Sequence, residues 1–178
     1  LKTIVIRKLT TAEIDKALKE LEEYKRWVKK KVSVFMQRLK DEGLTELSVR
    51  WASTLYDGID ASQLSAEDTA NGFNLMASGQ AVCFIEFGTG VHFNGNGSYP
   101  GEKPEGVVDI GMYGYGYGKH DYWFYHGDPN FATAGGTAAN GKKNTVITHG
   151  NPANAHMYNT TKWIKENFVR IAKEVFTS

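Results

Sequence analysis

The chain has 178 residues, 21 basic and 20 acidic side chains for a net charge of +1, and 41% hydrophobic and 12% aromatic content. That length suffices for one domain with its own core, and the even charge excludes a strongly basic nucleic-acid clamp and an acidic disordered tail. No apolar run approaches the ~18 residues of a bilayer span. Cys83 is the single cysteine, which excludes an intrachain disulfide or a cysteine metal cage and is compatible with a reducing compartment.

Residues 3–9 read as a short strand through the β-branched run Thr3, Ile4, Val5 and Ile6. Charge returns at Arg7, so no secretory signal is expected there. Thr10 or Thr11 offers an N-cap hydroxyl with Glu13 in the first turn. Ile14, Leu18, Leu21, Val28, Val32, Phe35 and Leu39 then share one helical face, with Ala17 and Tyr24 beside them. Gly43 reads as the C-terminal stop. The expected helix has roughly 30 residues and spans about 45 Å, long enough to meet a neighbour as well as its own core.

The middle of the chain turns to period two. Leu47, Val49, Trp51, Ser53 and Leu55 share one side of an expected strand, and Phe73, Leu75 and Ala77 form another. Residues 82–87 read as a third, central strand, apolar on both sides and joined to the second by a Ser78–Gly79 hairpin turn. Fifteen of the 19 glycines fall between Gly88 and Gly150, so residues of about 91–150 read as an inserted Gly/aromatic-rich loop. Asn151 or Asn154 can cap a closing helix, with Pro152 in its first turn and a stripe at Thr161, Ile164, Phe168, Ile171 and Val175. The sum is a single α+β domain over 1–178. An antiparallel β-meander packs against a long N-terminal helix and a C-terminal amphipathic helix, with a long Gly/Tyr-rich loop insertion.

The residues offer three chemistries. His120, Asp121, His126 and Asp128 lie close in sequence, but without HExxH, HxH or CxxC spacing; hydrogen-bonded histidines in a loop are the simpler account. Cys83 sits in an apolar run, which suits an inert thiol, and there is no GxSxG nucleophile elbow. Gly114-Tyr115-Gly116-Tyr117-Gly118 lacks the GxxxxGK[ST] ending of a phosphate loop, and Lys29, Lys30 and Lys31 point in different directions on a helix. Tyr113, Tyr115, Tyr117, Tyr122, Trp123 and Tyr125 instead offer amphipathic contact area for a partner.

The most specific stretch is Phe84-Ile85-Glu86-Phe87-Gly88-Thr89-Gly90: a carboxylate ends an apolar run, then Gly-Thr-Gly makes a sharp exit whose amides Glu86 can bind. Residues 81–90 resemble the xxYVEFGTG signature of the neck, or tail-completion, family of long-tailed bacteriophages. Residues 148–157, with Gly150, Pro152 and Met157, resemble that family's TxGxPAxPFM lead into its last helix. Ala155-His156 departs from the family's Pro-Phe, and 111–131 is longer and more aromatic than the pattern.

The resemblance implies a virion structural protein without catalysis, cofactor or metal. It implies a homo-oligomeric ring at the head–tail junction, assembled in the bacterial host cytoplasm. Its implied partners are head-closure or connector proteins and tail-terminator or tail-tube proteins, with double-stranded DNA passing through and no membrane contact. Charge patterning suits a ring: residues 45–87 carry −5, against +3 in 1–12 and +2 in 152–178. Two other classes stand beside this reading: an aromatic-loop carbohydrate or surface-binding module, and a metal-dependent hydrolase using His120, His126 and Asp128.

Overall fold

The computed structural model describes residues 3–5, 10–54, 56, 61–88, 99–102 and 152–177, and the backbone of 89–90, 123–126, 137–138, 145–148 and 150–151. Thr3–Val5, the described part of the expected N-terminal strand, form no strand. Helix α1 runs over Thr11–Trp51, 41 residues and roughly 60 Å. Thr10 is its N-cap, and its hydroxyl accepts from the Glu13 amide at 3.4 Å.

α1 does not stop at Gly43. Its buried residues Phe35, Leu39, Gly43, Leu47 and Trp51 recur every four positions, a helical period that carries through the glycine. Gly43 is there for contact: a Cβ on it would meet Ile164 Cδ1 at 3.1 Å and Leu75 Cδ1 at 3.3 Å. The strand expected over 47–55 is therefore replaced by the last turns of α1. Val49 decides the matter, since it is 64% exposed while Leu47 and Trp51 are buried. Glu46 and Arg50 add an i,i+4 ion pair at 2.6 Å. Leu55 lies outside the described residues.

Strands β1 (Gln63–Thr69) and β2 (Gly72–Ser78) form an antiparallel hairpin, with Thr69 opposite Gly72 and Gln63 opposite Ser78. β1 carries little apolar patterning and was not legible as a strand; β2 matches the expected Phe73–Ala77 strand. Ser78 and Gly79 do not lead to a third strand. They lead into α2 (Val82–Phe87), a six-residue helix. A short apolar run fits a buried strand and a buried helix equally by periodicity, and Ile85, Glu86 and Phe87 are buried in succession here. The fold is thus α+β, with a hairpin packed on α1 and a helix in the place of the third strand.

Short β3 (Thr89–Gly90) pairs antiparallel with β7 (Gly150–Asn151). Between them, β4 (Trp123–His126), β5 (Thr137–Ala138) and β6 (Thr145–Thr148) form a three-stranded antiparallel sheet in the order β4-β6-β5. The stretch read as a loop insertion therefore contains strands.

Helix α3 (His156–Thr177) returns antiparallel along α1. Contacts run from Trp51–His156 at one end, through Phe35–Phe168, to Trp27–Phe176 at the other. Phe35, Leu39, Ile171 and Val175 form one core cluster, and Leu47, Trp51, Ala81 and Ile85 the other. On the expected α3 stripe, Ile171 and Val175 are buried, while Thr161 and Phe168 are exposed. Beside the seam, Arg38 and Arg170 alternate with Glu42 and Glu174 in a four-member ion-pair ring. Three contacts measure 2.6–3.1 Å, and Arg38–Glu174 closes it.

Because α3 ends at Thr177, beside Trp27 and Lys31, the first 16 residues of α1 extend past it by about 24 Å.

Candidate functional site

The two stretches singled out in the sequence meet in space. α3 begins after Ala155, whose carbonyl accepts the Asn159 amide at 2.9 Å and so acts as the N-cap position. Alanine has no side-chain acceptor, and the next amides need one. Glu86 supplies it from 71 residues away: Oε2 accepts the Met157 amide at 2.9 Å and Oε1 the Tyr158 amide at 3.0 Å. These are the positions that a capping side chain serves, and the carboxylate also sits at the positive end of the α3 dipole. Glu86 therefore binds amides of the last helix, not those of the Gly-Thr-Gly turn that follows it.

The neighbouring backbone completes the latch. Asn154 donates its amide to the Ile85 carbonyl at 2.9 Å, and Ala155 donates to the Glu86 carbonyl at 3.1 Å. Asn154 Nδ2 also donates to the Ile85 and Pro152 carbonyls at 3.2 and 3.3 Å. Asn154 thus ties α2 to the turn and does not cap α3; Pro152 lies upstream of the helix, not in its first turn. Ala155 takes φ +51, held there by these bonds. Gly88 takes φ +75 as it leaves α2, a conformation that favours glycine and directs the chain into β3.

An aromatic wall closes one side. Tyr99 packs edge-on against Phe87 at 4.8 Å and against Tyr158 at 5.7 Å, with its hydroxyl close enough to Glu86 to act on that carboxyl. Burial pushes the Glu86 carboxyl above its ordinary value; the amides of Met157, Tyr158 and His156 and the Tyr99 hydroxyl pull it back without cancelling the shift. Burial and the Glu86 charge push the Tyr99 phenol up in turn.

On the other side, buried His156 lies 5.3 Å from the Trp51 ring. The Thr54 hydroxyl donates its proton to the Trp51 carbonyl at 2.6 Å, so His156 Nε2, 3.0 Å from Thr54 Oγ1, is the donor to that hydroxyl. The His156 ring meets Trp51 at a tilt of 52° and is tied to Thr54 by that hydrogen bond.

Of the residues named from sequence, the structure joins Glu86 to Met157 and, through β3–β7, Gly90 to Gly150, with Thr89 opposite Asn151; Phe87 packs against Tyr99, and Gly88 leads from α2 into β3. Pro152 belongs through its carbonyl. Trp123 and Tyr125 lie in β4, opposite Thr148 and Val146. Tyr113, Tyr115, Tyr117, Tyr122, His120 and Asp128 lie outside the described residues, and His126 is described by backbone alone. Cys83 is half-buried. Among the described residues, no three His, Cys, Asp or Glu side chains gather as a metal site, and no helix is long and apolar enough to cross a membrane. Sequence reasoning missed Tyr99, Tyr158, Trp51 and Thr54. An acid inside an apolar run, Phe84 to Phe87, was the signal that Glu86 needed buried donors.

Comparison of the chain with protein-family models, curated proteins and solved structures finds no match in any of the three.

Proposed function

We propose that this chain is a structural subunit of the head–tail junction of a long-tailed phage, a neck or tail-completion protein. In this reading it assembles as a ring that joins the connector to the tail tube and lets DNA pass. The observation that carries it is the Glu86 latch. The two stretches on which the resemblance rests form one hydrogen-bonded unit: Glu86, at the centre of the first, and Met157, at the end of the second, are bonded across 71 residues of sequence. The chemistry of that unit is mechanical: a carboxylate whose lone pairs are taken by backbone amides joins α2 to α3. Head-closure or connector proteins on one side and tail-terminator or tube proteins on the other are the partners this reading entails.

The test is assembly of the full chain, followed by mass photometry and negative-stain electron microscopy, with antibody labelling of phage particles. A ring with an open centre, and label at the head–tail junction, are expected. A chain absent from particles that turns over a substrate as a monomer would overturn the reading.

A further inference from the structure

We propose that the projecting half of α1 pairs with the same segment of a second copy of this chain, the two helices running antiparallel about a dyad near Glu23. This inference rests on the helix itself and not on the virion reading.

The face concerned is apolar and open. Ile14, Leu18, Leu21 and Val32 are 40, 55, 52 and 44% exposed. Together with Lys25 and half-buried Val28, they follow an alternating four-three spacing that continues into Phe35 and Leu39, the residues buried against α3. One seam thus serves two purposes: its C-terminal part packs on α3, and its N-terminal part runs on past Thr177. Four-three spacing is the pattern of helices that pack side by side over their length.

Charge selects both the occupant and its direction. Residues 13–23 hold five acids and two bases, whereas 24–31 hold five bases and no acid. Parallel pairing would set like halves together. Antiparallel pairing sets each half against its opposite.

The same register aligns the seam. Ile14 falls opposite Val32 of the second copy, Leu18 opposite Val28 and Leu21 opposite Lys25, and symmetry repeats all three. On the flanks, Asp15 comes beside Lys29 of the second copy and Glu22 beside Lys25. The like-charged encounter of Glu22 with its own equivalent at the dyad is offset by Lys25 from both copies. Lys25, polar on the seam, weakens the pair and fixes its register. The seam from Ile14 to Val32 is about 27 Å long.

Sedimentation of the full chain over a concentration series, at low and high salt, tests the pairing. A monomer–dimer equilibrium that weakens with salt is expected. Leu18→Glu with Leu21→Glu touches four of the six layers and should weaken it on the order of 1,000-fold. Val49→Glu, exposed on α1 but off the seam, should leave it unchanged. Circular dichroism should show each variant as helical as the parent, because the replaced side chains are exposed in the single chain.

Direction is read by spin-label distances from single cysteines at Lys16, Glu23 or Lys30 in a Cys83→Ser background. Equivalent labels should lie level at 23 and roughly 20 Å apart along the axis at both 16 and 30. A chain that stays monomeric, a dimer indifferent to the Leu18/Leu21 pair, or equal distances at all three positions would each overturn the proposal. Rings that form normally from the Leu18/Leu21 variant, with no dimer detected for the parent, would overturn this contact and leave the proposed function standing.

Discussion

Glu86→Ala tests whether one carboxylate holds the last helix to the rest of the fold. The substitution removes both acceptors that stand 2.9 and 3.0 Å from the Met157 and Tyr158 amides. Loss of an N-cap acceptor costs about 0.5–2 kcal/mol, and a buried donor left without a partner costs about 1–3 kcal/mol. Against this, alanine relieves the desolvation that raises the Glu86 pKa. The net expectation is a loss of about 2–3 kcal/mol, equivalent to a Tm lowered by about 4–12 °C at this chain length. Urea unfolding followed by circular dichroism measures it.

Glu86→Gln keeps one acceptor oxygen but turns a second donor toward an amide, so an intermediate loss is expected, about 1 kcal/mol. Its pH dependence tests the electrostatics. A raised pKa in the folded state means that the fold binds this proton more tightly than the unfolded chain does. The associated stability is present in full below the ordinary carboxyl value of 4.5 and is lost as pH rises through the folded pKa. The advantage of the parent over Glu86→Gln should therefore be largest in acid and shrink as pH rises. An alanine variant within about 0.5 kcal/mol of the parent, or an advantage that grows with pH, would refute the reasoning.

Three further substitutions follow from the same geometry. Gly88→Ala places a side chain at φ +75 and should cost about 1–2 kcal/mol in urea unfolding. Gly43→Leu drives a side chain between Ile164 and Leu75, whose methyls already lie 3.1 and 3.3 Å from a bare Cβ, and should cost about 1–3 kcal/mol, whereas Gly43→Ala should cost far less. In the Arg38–Glu42–Arg170–Glu174 ring, burial raises the Glu42 carboxyl, but hydrogen bonds from Arg170 and Arg38 outweigh it and hold it below its ordinary value; Arg170 chiefly does the same for Glu174. The ring's stabilisation should be present above the ordinary carboxyl range and lost as pH falls through the lowered values, and Arg170→Ala should flatten that acid limb of the Tm profile.

The amphipathic helices were legible because their faces repeat: Phe35 and Leu39 on α1, Ile171 and Val175 on α3, are buried where spacing put them. The hairpin was half legible. β2 sets apolar Phe73, Leu75 and Ala77 at alternate positions, whereas β1, Gln-Leu-Ser-Ala-Glu-Asp-Thr, lies against α1 with few side chains that declare it. The run 82–87 was misread because an element buried all round has no face, and α1 was cut short because a glycine that makes room for Ile164 looks the same in sequence as one that ends a helix. At the latch, Glu86 stands out in the sequence as an acid in an apolar run, but its partners do not. Its donors lie 71 and 72 residues away, beyond any local pattern. Ala155 at a cap position was the unread half of the signal, since a helix start without a side-chain acceptor must find one elsewhere.

The projecting half of α1 poses one last energetic question. A free helix of about 16 residues is marginal in water. This one escapes the cost of nucleation because Trp27–Trp51 is held against α3 and the hairpin, and each added residue only extends an existing ladder. Thr10 caps the far end, and the sequence spaces Asp15 from Lys19 and Glu22 from Arg26 by four residues. Such a segment should be helical yet weakly protected, because extension alone gains little per residue. Burial of Leu18 and Leu21 in a second copy would change that. Amide exchange over 14–26 should slow as protein concentration rises, while exchange over 35–51, already held by the core, should not change. Leu18→Glu with Leu21→Glu should abolish the concentration dependence. Exchange over 14–26 that is as slow in dilute as in concentrated solution would show the segment stabilised within the single chain, and the seam would need no second copy to explain it.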